Sequence, residues 1–147
     1  YHTIKNAMTS SYKVLNIPES ASLALHASRA IVRAGEPLTA AEIAEVAGVS
    51  RHHLSKVLRK MVEAGIVSVS HGRGGGFFFT KEQAKLPLMR IMESAGCGAV
   101  PCVCMFDTPR CNGNDCLFGS LLGDVNKLYL SYFSKTKISN LQQRITD

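Results

Sequence analysis

Two short helical patterns, separated by the turn Gly48-Val49-Ser50, constrain the fold of this chain more than any other feature. The first pattern begins with Thr39 and Glu42, which match a capping box, and it ends at Gly48. The second ends at Gly65, and its apolar residues recur at helical spacing: Leu54, Val57, Leu58 and Met61. A helix, a short glycine-containing turn and a second helix predict a helix-turn-helix.

The neighbouring positions give further expectations for these helices. We expect Ile43 and Val46 of the first helix to face the core, and Ser50 to cap the second helix. The preceding residues 19–34 predict another helix, which ends before Gly35. Its inward-facing residues are expected to be Leu23, Ala27, Ala30, Ile31 and Ala34.

The polar face of the second helix is rich in basic and hydrogen-bonding side chains, namely Arg51, His52, Ser55, Lys56, Arg59 and Lys60. Such a face suits a recognition helix that enters the major groove of DNA. The residues expected to contact DNA are Thr39, Ser50, Arg51, His52, Ser55, Lys56 and Arg59. A solvated polar face without a partner is the alternative interpretation.

Two β-prone runs, residues 66–70 and 77–79, flank a glycine-rich turn and predict a hairpin, the wing of a winged helix. His71 and Arg73 in this turn are placed to enter a minor groove or to bind phosphates. A nucleotide-binding phosphate loop is the rival interpretation. The turn lacks the Lys-Ser/Thr ending of such a loop and does not open a helix, so the wing is favoured.

The excess positive charge lies in the first part of the chain. Residues 1–90 contain 12 Lys or Arg and 6 Asp or Glu, whereas residues 91–147 contain 5 of each. A basic surface attracts phosphate backbones, although it could also serve only to keep a protein in solution. The polar residues 1–13 lack a signal-peptide core and no apolar run reaches the roughly 18 residues of a membrane span, so we expect a cytoplasmic protein without membrane contact.

The last long segment predicts an amphipathic helix over residues 117–133, after a short helix over residues 88–93. Its apolar residues are separated alternately by three and four positions: Phe118, Leu121, Val125, Leu128 and Tyr132. This spacing is typical of a coiled-coil seam and predicts pairing with the same helix of a second chain in a two-fold homodimer. A core helix within one chain is the alternative.

The sequence therefore predicts a mainly α fold with a small β-hairpin wing. We expect a winged helix-turn-helix that binds DNA over residues 14–85. A cysteine loop and a long C-terminal dimerisation helix are expected over residues 86–142.

All five cysteines fall within one short segment, which indicates a metal or redox site. Cys104, Cys111 and Cys116 are its centre, because thiolates are soft ligands suited to iron–sulfur clusters, zinc or copper(I). The paired C-x2-C knuckles of zinc sites are absent, which makes zinc less favoured. Cys102 is a further candidate ligand or redox partner, and Cys97 is expected to be only a small apolar side chain.

Residues 38–44, 54–65 and 72–77, followed by the three loop cysteines, resemble the IscR/NsrR-type winged-helix transcription regulators, whose relatives include RirA, RsrR and CymR. The resemblance covers residues 14–142, including an ending over residues 136–141 similar to the family's Thr-Leu-x-x-Leu. It implies a homodimeric regulator, a repressor or an activator, that binds double-stranded DNA at a palindromic operator.

In the cluster-bearing members of this family three loop cysteines hold an iron–sulfur cluster, and they match Cys104, Cys111 and Cys116. The resemblance therefore implies a 2Fe-2S or 4Fe-4S cluster that senses redox state, nitric oxide or iron–sulfur status. Where some members have a histidine as fourth ligand this chain has Gly119. Where others have an acidic residue in the first helix of the partner subunit, it has Ser22.

The fourth ligand is consequently open among three residues: His26, Cys102 and Glu19. His26 matches the position of a histidine in the redox-sensor branch of the family. The usual arginine of the wing is replaced by His71, so Arg73 is expected to take over its contact with DNA.

Three functions follow, in order of preference. The first is a DNA-binding regulator, a repressor in the preferred form, whose operator affinity is set by the cluster. The second is a cluster-free regulator of the same fold that responds to a ligand or through a thiol switch, as the CymR branch implies. The third, a small redox or metal-handling enzyme, is disfavoured because no catalytic Ser/His/Asp group, nucleotide loop or C-x-x-C motif is present.

Overall fold

A computed structural model describes residues 17–98, 104, 111 and 115–142 of the chain. In chain order the elements are helices α1 (Glu19–Ala34), α2 (Ala40–Ala47) and α3 (Arg51–Glu63), strands β1 (Ser68–Ser70) and β2 (Gly76–Phe78), a 3-10 helix (Gln83–Lys85), helices α4 (Leu88–Ser94) and α5 (Leu121–Lys135), and a last 3-10 helix (Ile138–Gln142). The mainly helical fold with one small hairpin is confirmed.

Local hydrogen bonds set the bounds of α2. The Thr39 N–H donates to the Glu42 carboxylate over 2.8 Å, and the Glu42 N–H donates to the Thr39 hydroxyl over 3.3 Å, which is the predicted capping box. The bond from the Thr39 backbone and, second, the bond from its hydroxyl lower the pKa of the Glu42 carboxyl. Gly48 ends the helix with a φ of 65°, in the left-handed region that glycine adopts without strain.

Three details of the sequence interpretation were wrong. Val46 is 70% exposed, because the inward face of α2 is centred on Ile43 and Ala44, and residue 46 is turned about 110° from that centre in a 3.6-residue helix. Ala34, in the last turn of α1, is exposed as well. Ser50 stands at the N-cap of α3 but makes no capping hydrogen bond with its side chain.

The core forms where α1 crosses the helix-turn-helix. The predicted stripe of α3 is confirmed, since Leu54, Leu58 and Met61 are fully buried and Val57 nearly so. Side chains from both predicted domains share this core; those from residues 86–142 are Leu88, Met89, Ile91, Met92, Ala95, Phe133 and Ile138. The boundary between residues 85 and 86 therefore remains a prediction.

The wing is an antiparallel hairpin in which Ser68 pairs with Phe78 and Ser70 pairs with Gly76. Phe77 also forms an isolated bridge with Leu38, directly before α2. The Phe77 N–H donates to the Leu38 carbonyl over 2.7 Å, and the Leu38 N–H donates back over 3.1 Å. These two bonds tie the wing to the start of the helix-turn-helix.

Helix α5 begins four residues later than the sequence predicts. Gly119 has a φ of 55°, and the left-handed turn that it forms excludes residues 117–120 from the helix. After α5 the chain returns to the winged helix: the Leu88 N–H donates to the Thr136 carbonyl over 2.8 Å, and the Ile138 N–H donates to the Leu86 carbonyl over 2.9 Å. Ile138 is fully buried, so this return anchors the end of α5.

None of the helices within residues 17–98 and 115–142 is long and apolar enough to cross a membrane.

The close approach of the wing to Leu38 predicts a large effect of Gly76→Ala. A Cβ at residue 76 would lie 2.5 Å from the Leu38 carbonyl oxygen, so the bridge must shift. We expect the free energy of unfolding to fall by about 1–3 kcal/mol, as for other overpacked sites. Gly123→Ala in α5 is the control, since nothing lies within 4 Å of its added Cβ. Denaturant unfolding of both variants measures the effect. A Gly76→Ala variant that is as stable as Gly123→Ala would contradict the close approach.

Candidate nucleic-acid interface and cysteine segment

Helix α3 exposes the side opposite its buried stripe. All six polar side chains of the predicted recognition face are exposed: Arg51, His52, Ser55, Lys56, Arg59 and Lys60. The Ser55 hydroxyl donates to the Arg51 carbonyl over 2.8 Å, which leaves its oxygen able to accept a further bond. The Arg59 guanidinium pairs with Glu63 over 2.9 Å on the surface, and exposed pairs of this kind are weak enough to be exchanged for a phosphate.

Two other predicted contacts lie at the helix starts. The hydroxyl of Thr39 is already engaged in the capping box, where it donates to the Glu42 carboxylate over 2.7 Å. Ser50 is exposed, and its hydroxyl is not used for capping. Of the two, Ser50 is therefore the better placed to bind a partner.

The wing presents its two predicted side chains to solvent. His71 and Arg73 are both exposed in the turn that joins β1 to β2. Gly74, which follows Arg73, has a φ of 73°, so the turn bends sharply directly after the arginine. The Gly76 N–H donates to the Ser70 hydroxyl over 3.3 Å and closes the base of the turn.

Most of the cations on this surface form no ion pair with an acidic side chain among the described residues. Within the described part of the chain the ion pairs are Arg59–Glu63, Arg90–Glu93 and Lys127–Asp124. Arg51, Lys56 and Arg73 belong to none of them. Unpaired cations on one surface create the positive potential that a phosphate backbone requires.

The described loop cysteines differ in exposure. Cys104 and Cys116 are half-buried and Cys111 is exposed, and Cys111 and Cys116 carry free thiols. Cys102 lies outside the described residues. In the ranges that the structure describes, no group of three or more His, Cys, Asp or Glu side chains is placed to hold a metal.

Cys97 differs from the other cysteines because it packs against the hydrophobic core. Burial and, second, the neighbouring Cys97 raise the pKa of Tyr129 on α5, which places this thiol beside that helix. The preceding Ala95 carbonyl accepts a bond from the Ser20 hydroxyl over 3.1 Å. The beginning of the cysteine segment is thus held to both α5 and the start of α1.

The two described candidates for a fourth ligand lie on α1, Glu19 in its first turn and His26 near its middle. Glu19 is exposed in a groove shared with α3. His26 is exposed in a cleft shared with Val46 and Ala47 of α2. None of the described cysteines lines either cleft.

Helix α5 has two apolar faces. Leu122 and Phe133 are buried, Phe133 in the hydrophobic core, whereas the predicted seam lies on another side of the helix. Leu121, Leu128 and Tyr132 of that seam are 51%, 72% and 55% exposed. Exposed apolar side chains in a row are typical of a surface that a partner covers.

Sequence reasoning missed one feature beside the recognition face. His53 and Lys60 flank a groove between α3 and the start of α1, and His53 was not among the expected contacts. Their spacing of seven residues, about two helical turns, was the available signal. No local sequence pattern indicates that α1 forms the opposite wall of this groove.

The fold of this chain is similar to that of solved protein structures. The structure of CymR (YrzC), the global cysteine regulator of B. subtilis, superposes with a TM-score of 0.71 at 18% identity, covering 91% of this chain and 100% of that one. T. potens IscR superposes with a TM-score of 0.62 at 17% identity, covering 87% and 86%. At these identities the likeness concerns the winged-helix fold alone.

Comparison of the sequences gives further evidence. The HTH-type transcriptional repressor NsrR of Streptomyces coelicolor is 27% identical over 113 residues, which are 76% of each protein. The family model Rrf2, described as an iron-dependent transcriptional regulator, matches residues 17–144. The chain therefore belongs to the Rrf2 family of transcriptional regulators and, as the sequence predicted, is not an enzyme.

Proposed function

We propose that this protein is a homodimeric transcription repressor that binds a palindromic operator in double-stranded DNA and senses redox state, nitric oxide or iron–sulfur status through an iron–sulfur cluster. The observation that carries the DNA-binding part is the exposed basic face of α3 beside the wing. Side chains of this face and of the wing turn supply the two elements of winged-helix recognition, a helix for the major groove and a hairpin for the neighbouring backbone.

The contacts divide into two kinds by their chemistry. Arg51, Lys56 and Arg59 supply charge for phosphates or paired donors for guanine, while His52, Ser50 and Ser55 supply shorter donors and acceptors for base edges. Arg73 and His71 reach beyond the helix from the wing, and Thr39 lies at the start of α2. The bridge between Phe77 and Leu38 holds the wing in a fixed position relative to the start of α2.

The exposed seam of α5 supports the homodimer. Leu121, Val125, Leu128 and Tyr132 lie on one side of the helix, and the buried Leu122 and Phe133 lie on the adjacent side. Packing this seam against its copy removes apolar surface from water without changing the core of either chain. A two-fold axis along α5 would set the spacing of the two α3 helices, and hence of the half-sites.

The cysteine segment fits a cluster in its chemistry. Cys104, Cys111 and Cys116 are all at least partly exposed, and thiolates are the ligands that cluster iron prefers. Glu19 and His26 are exposed on α1, so either could serve a cluster held by a second subunit; Cys102 is the third candidate. When bound, the cluster would supply one-electron and nitric-oxide chemistry.

Hydrogen bonds and helix packing offer a route from this segment to the DNA-binding face. Ser20 links the Ala95 carbonyl to the start of α1, and α1 packs on α3. The Leu88–Thr136 hydrogen bond links α4 to the end of α5. A change in the segment between α4 and α5 would therefore alter both the support of α3 and the position of the dimer axis. Regulation requires such a difference in contacts between two states of the protein.

A cluster-free thiol switch or ligand-responsive regulator of the same fold is the second candidate. The favouring observations are the exposed thiol of Cys111 and the fold likeness to the global cysteine regulator CymR. Here oxidation of a thiol pair would take the place of cluster chemistry. Iron and sulfide content separates the two functions.

The first prediction concerns α3. Arg51→Ala, Lys56→Ala and Arg59→Ala together should weaken DNA binding by about 100-fold or more and flatten its salt dependence by roughly 0.9 log units for each phosphate that is no longer bound. All three side chains are exposed, so the melting temperature should stay near that of the wild type. A matched variant removes three cations elsewhere, at Arg90, Lys127 and Lys137. Titration of a selected operator at several salt concentrations compares them, and equal affinities would sink the assignment.

The second prediction concerns the dimer. Leu121→Asp with Leu128→Asp should give monomers, since four carboxylates would be buried at the paired seams. Both leucines are more than half exposed in the single chain, so its own core is untouched. Ser120→Asp at the N-cap of α5 with Ser134→Asp in its last turn adds the same charge outside the seam. Sedimentation velocity should show monomers only for the leucine variant, and a leucine variant that remains dimeric places the interface elsewhere.

The third prediction concerns the cluster. Replacing Cys104, Cys111 or Cys116 by serine should each abolish or destabilise the brown chromophore after anaerobic reconstitution with iron and sulfide, because serine is a harder and poorly ionised ligand. Cys97→Ser should keep it, since that thiol packs on the core. His26→Ala tests the ligand from α1 through a shifted spectrum or a shorter cluster lifetime. Wild-type protein that stays colourless and free of iron would leave the thiol switch in place of the cluster.

A further inference from the structure

A groove of about 260 Å³ runs between the start of α1 and one flank of α3, beside the recognition face. Its walls are Glu19, Ser20 and Leu23 from α1 and His53, Lys56, Val57 and Lys60 from α3. Lys56 and Lys60 belong to the recognition face as well, so the groove is continuous with the surface proposed to bind DNA.

The position of this groove on α3 indicates what it would meet. His53 and Lys60 lie two turns apart on one side of the helix, between the buried Val57 and the outward-facing Lys56. A recognition helix turns its outer face to the base edges, and its flanks run beside the phosphates that border the major groove. The flank formed by His53 and Lys60 is therefore suited to a phosphate, not to a base.

The charges of the lining favour the same occupant. Lys56 and Lys60 are exposed, and no ion pair among the described residues involves either of them. Leu23 and Val57 are buried and form the apolar bottom of the groove, so its charged and polar side chains lie along the rim. Glu19 is the one acidic residue among the described residues of the lining, and its carboxylate opposes an anion.

We propose that this groove is a DNA-phosphate subsite in which Lys60 and His53 bind a backbone phosphate beside the recognition helix, and in which Glu19 weakens that contact. The inference rests on the proposed function, since it requires α3 to enter the major groove. It adds α1 to the DNA-binding surface. Because the Ser20–Ala95 hydrogen bond holds the start of α1 to the cysteine segment, the position of Glu19 is linked to that segment.

Opposite single substitutions test the subsite on the full chain with a selected operator duplex. Lys60→Gln should weaken binding and reduce the slope of log affinity against log salt by roughly 0.9, the value for one phosphate contact. Lys60→Arg keeps the charge and should keep the slope. Glu19→Gln should strengthen binding about two- to threefold, the size expected for removing a solvent-screened repulsion between two unit charges.

Matched controls lie at the other end of α1. Glu36→Gln and Lys137→Gln make the same charge changes near the last 3-10 helix, away from the groove. If Lys60→Gln and Lys137→Gln share the wild-type slope while the wild type binds DNA, the subsite is overturned and the recognition helix stands. If Glu19→Gln and Glu36→Gln have equal affinities, the role of Glu19 is overturned. If the wild type binds no duplex, the proposed function and the subsite fail together.

Discussion

The burial of one apolar stripe on α3 is the constraint on which the rest of this structure depends. Leu54, Leu58 and Met61 have no exposed surface, and burying a side chain of this size stabilises a fold by roughly 1.5–3 kcal/mol. Once the stripe faces α1, the rotation of α3 is fixed, and its basic residues can only point outward. The position of the candidate DNA-binding face is thus a consequence of packing, and changing its cations leaves the stripe intact.

Hydrogen bonds then attach the remaining parts to this helical core. The Leu38–Phe77 backbone bridge fixes the wing relative to α2, the bond from the Ser20 hydroxyl to the Ala95 carbonyl fixes the start of the cysteine segment relative to α1, and the Leu88–Thr136 backbone bond fixes the end of α5. Each attachment joins residues far apart in sequence. In the proposed mechanism, movement in the cysteine segment acts on α1 and α4, which both pack on α3.

Much of the fold could be predicted from the sequence, because helix periodicity and capping are local. The bounds of α1, the capping box of α2 and the buried stripe of α3 follow from residues within a few positions of each other. The inward direction of Val46 was wrong because the buried face of α2 is centred on Ile43 and Ala44, which places residue 46 outside it. The start of α5 was wrong because the left-handed turn at Gly119 overrides an apolar spacing that begins at Phe118. The groove beside Lys60 needs α1 as its second wall, which no local pattern encodes.

The candidate site shows the same division between features that the sequence predicts and features that it does not. The exposure of the α3 face follows from periodicity, whereas the proposed meeting of Cys104, Cys111 and Cys116 around one cluster would depend on loop geometry, which no local pattern encodes. The central claim is that the state of the cysteine segment sets operator affinity. It is tested most directly by titrating one selected operator, at constant salt, with anaerobically reconstituted and with cluster-free protein. We expect affinities that differ by roughly 5- to 150-fold, the usual range of coupling between two sites. Identical affinities would contradict the claim.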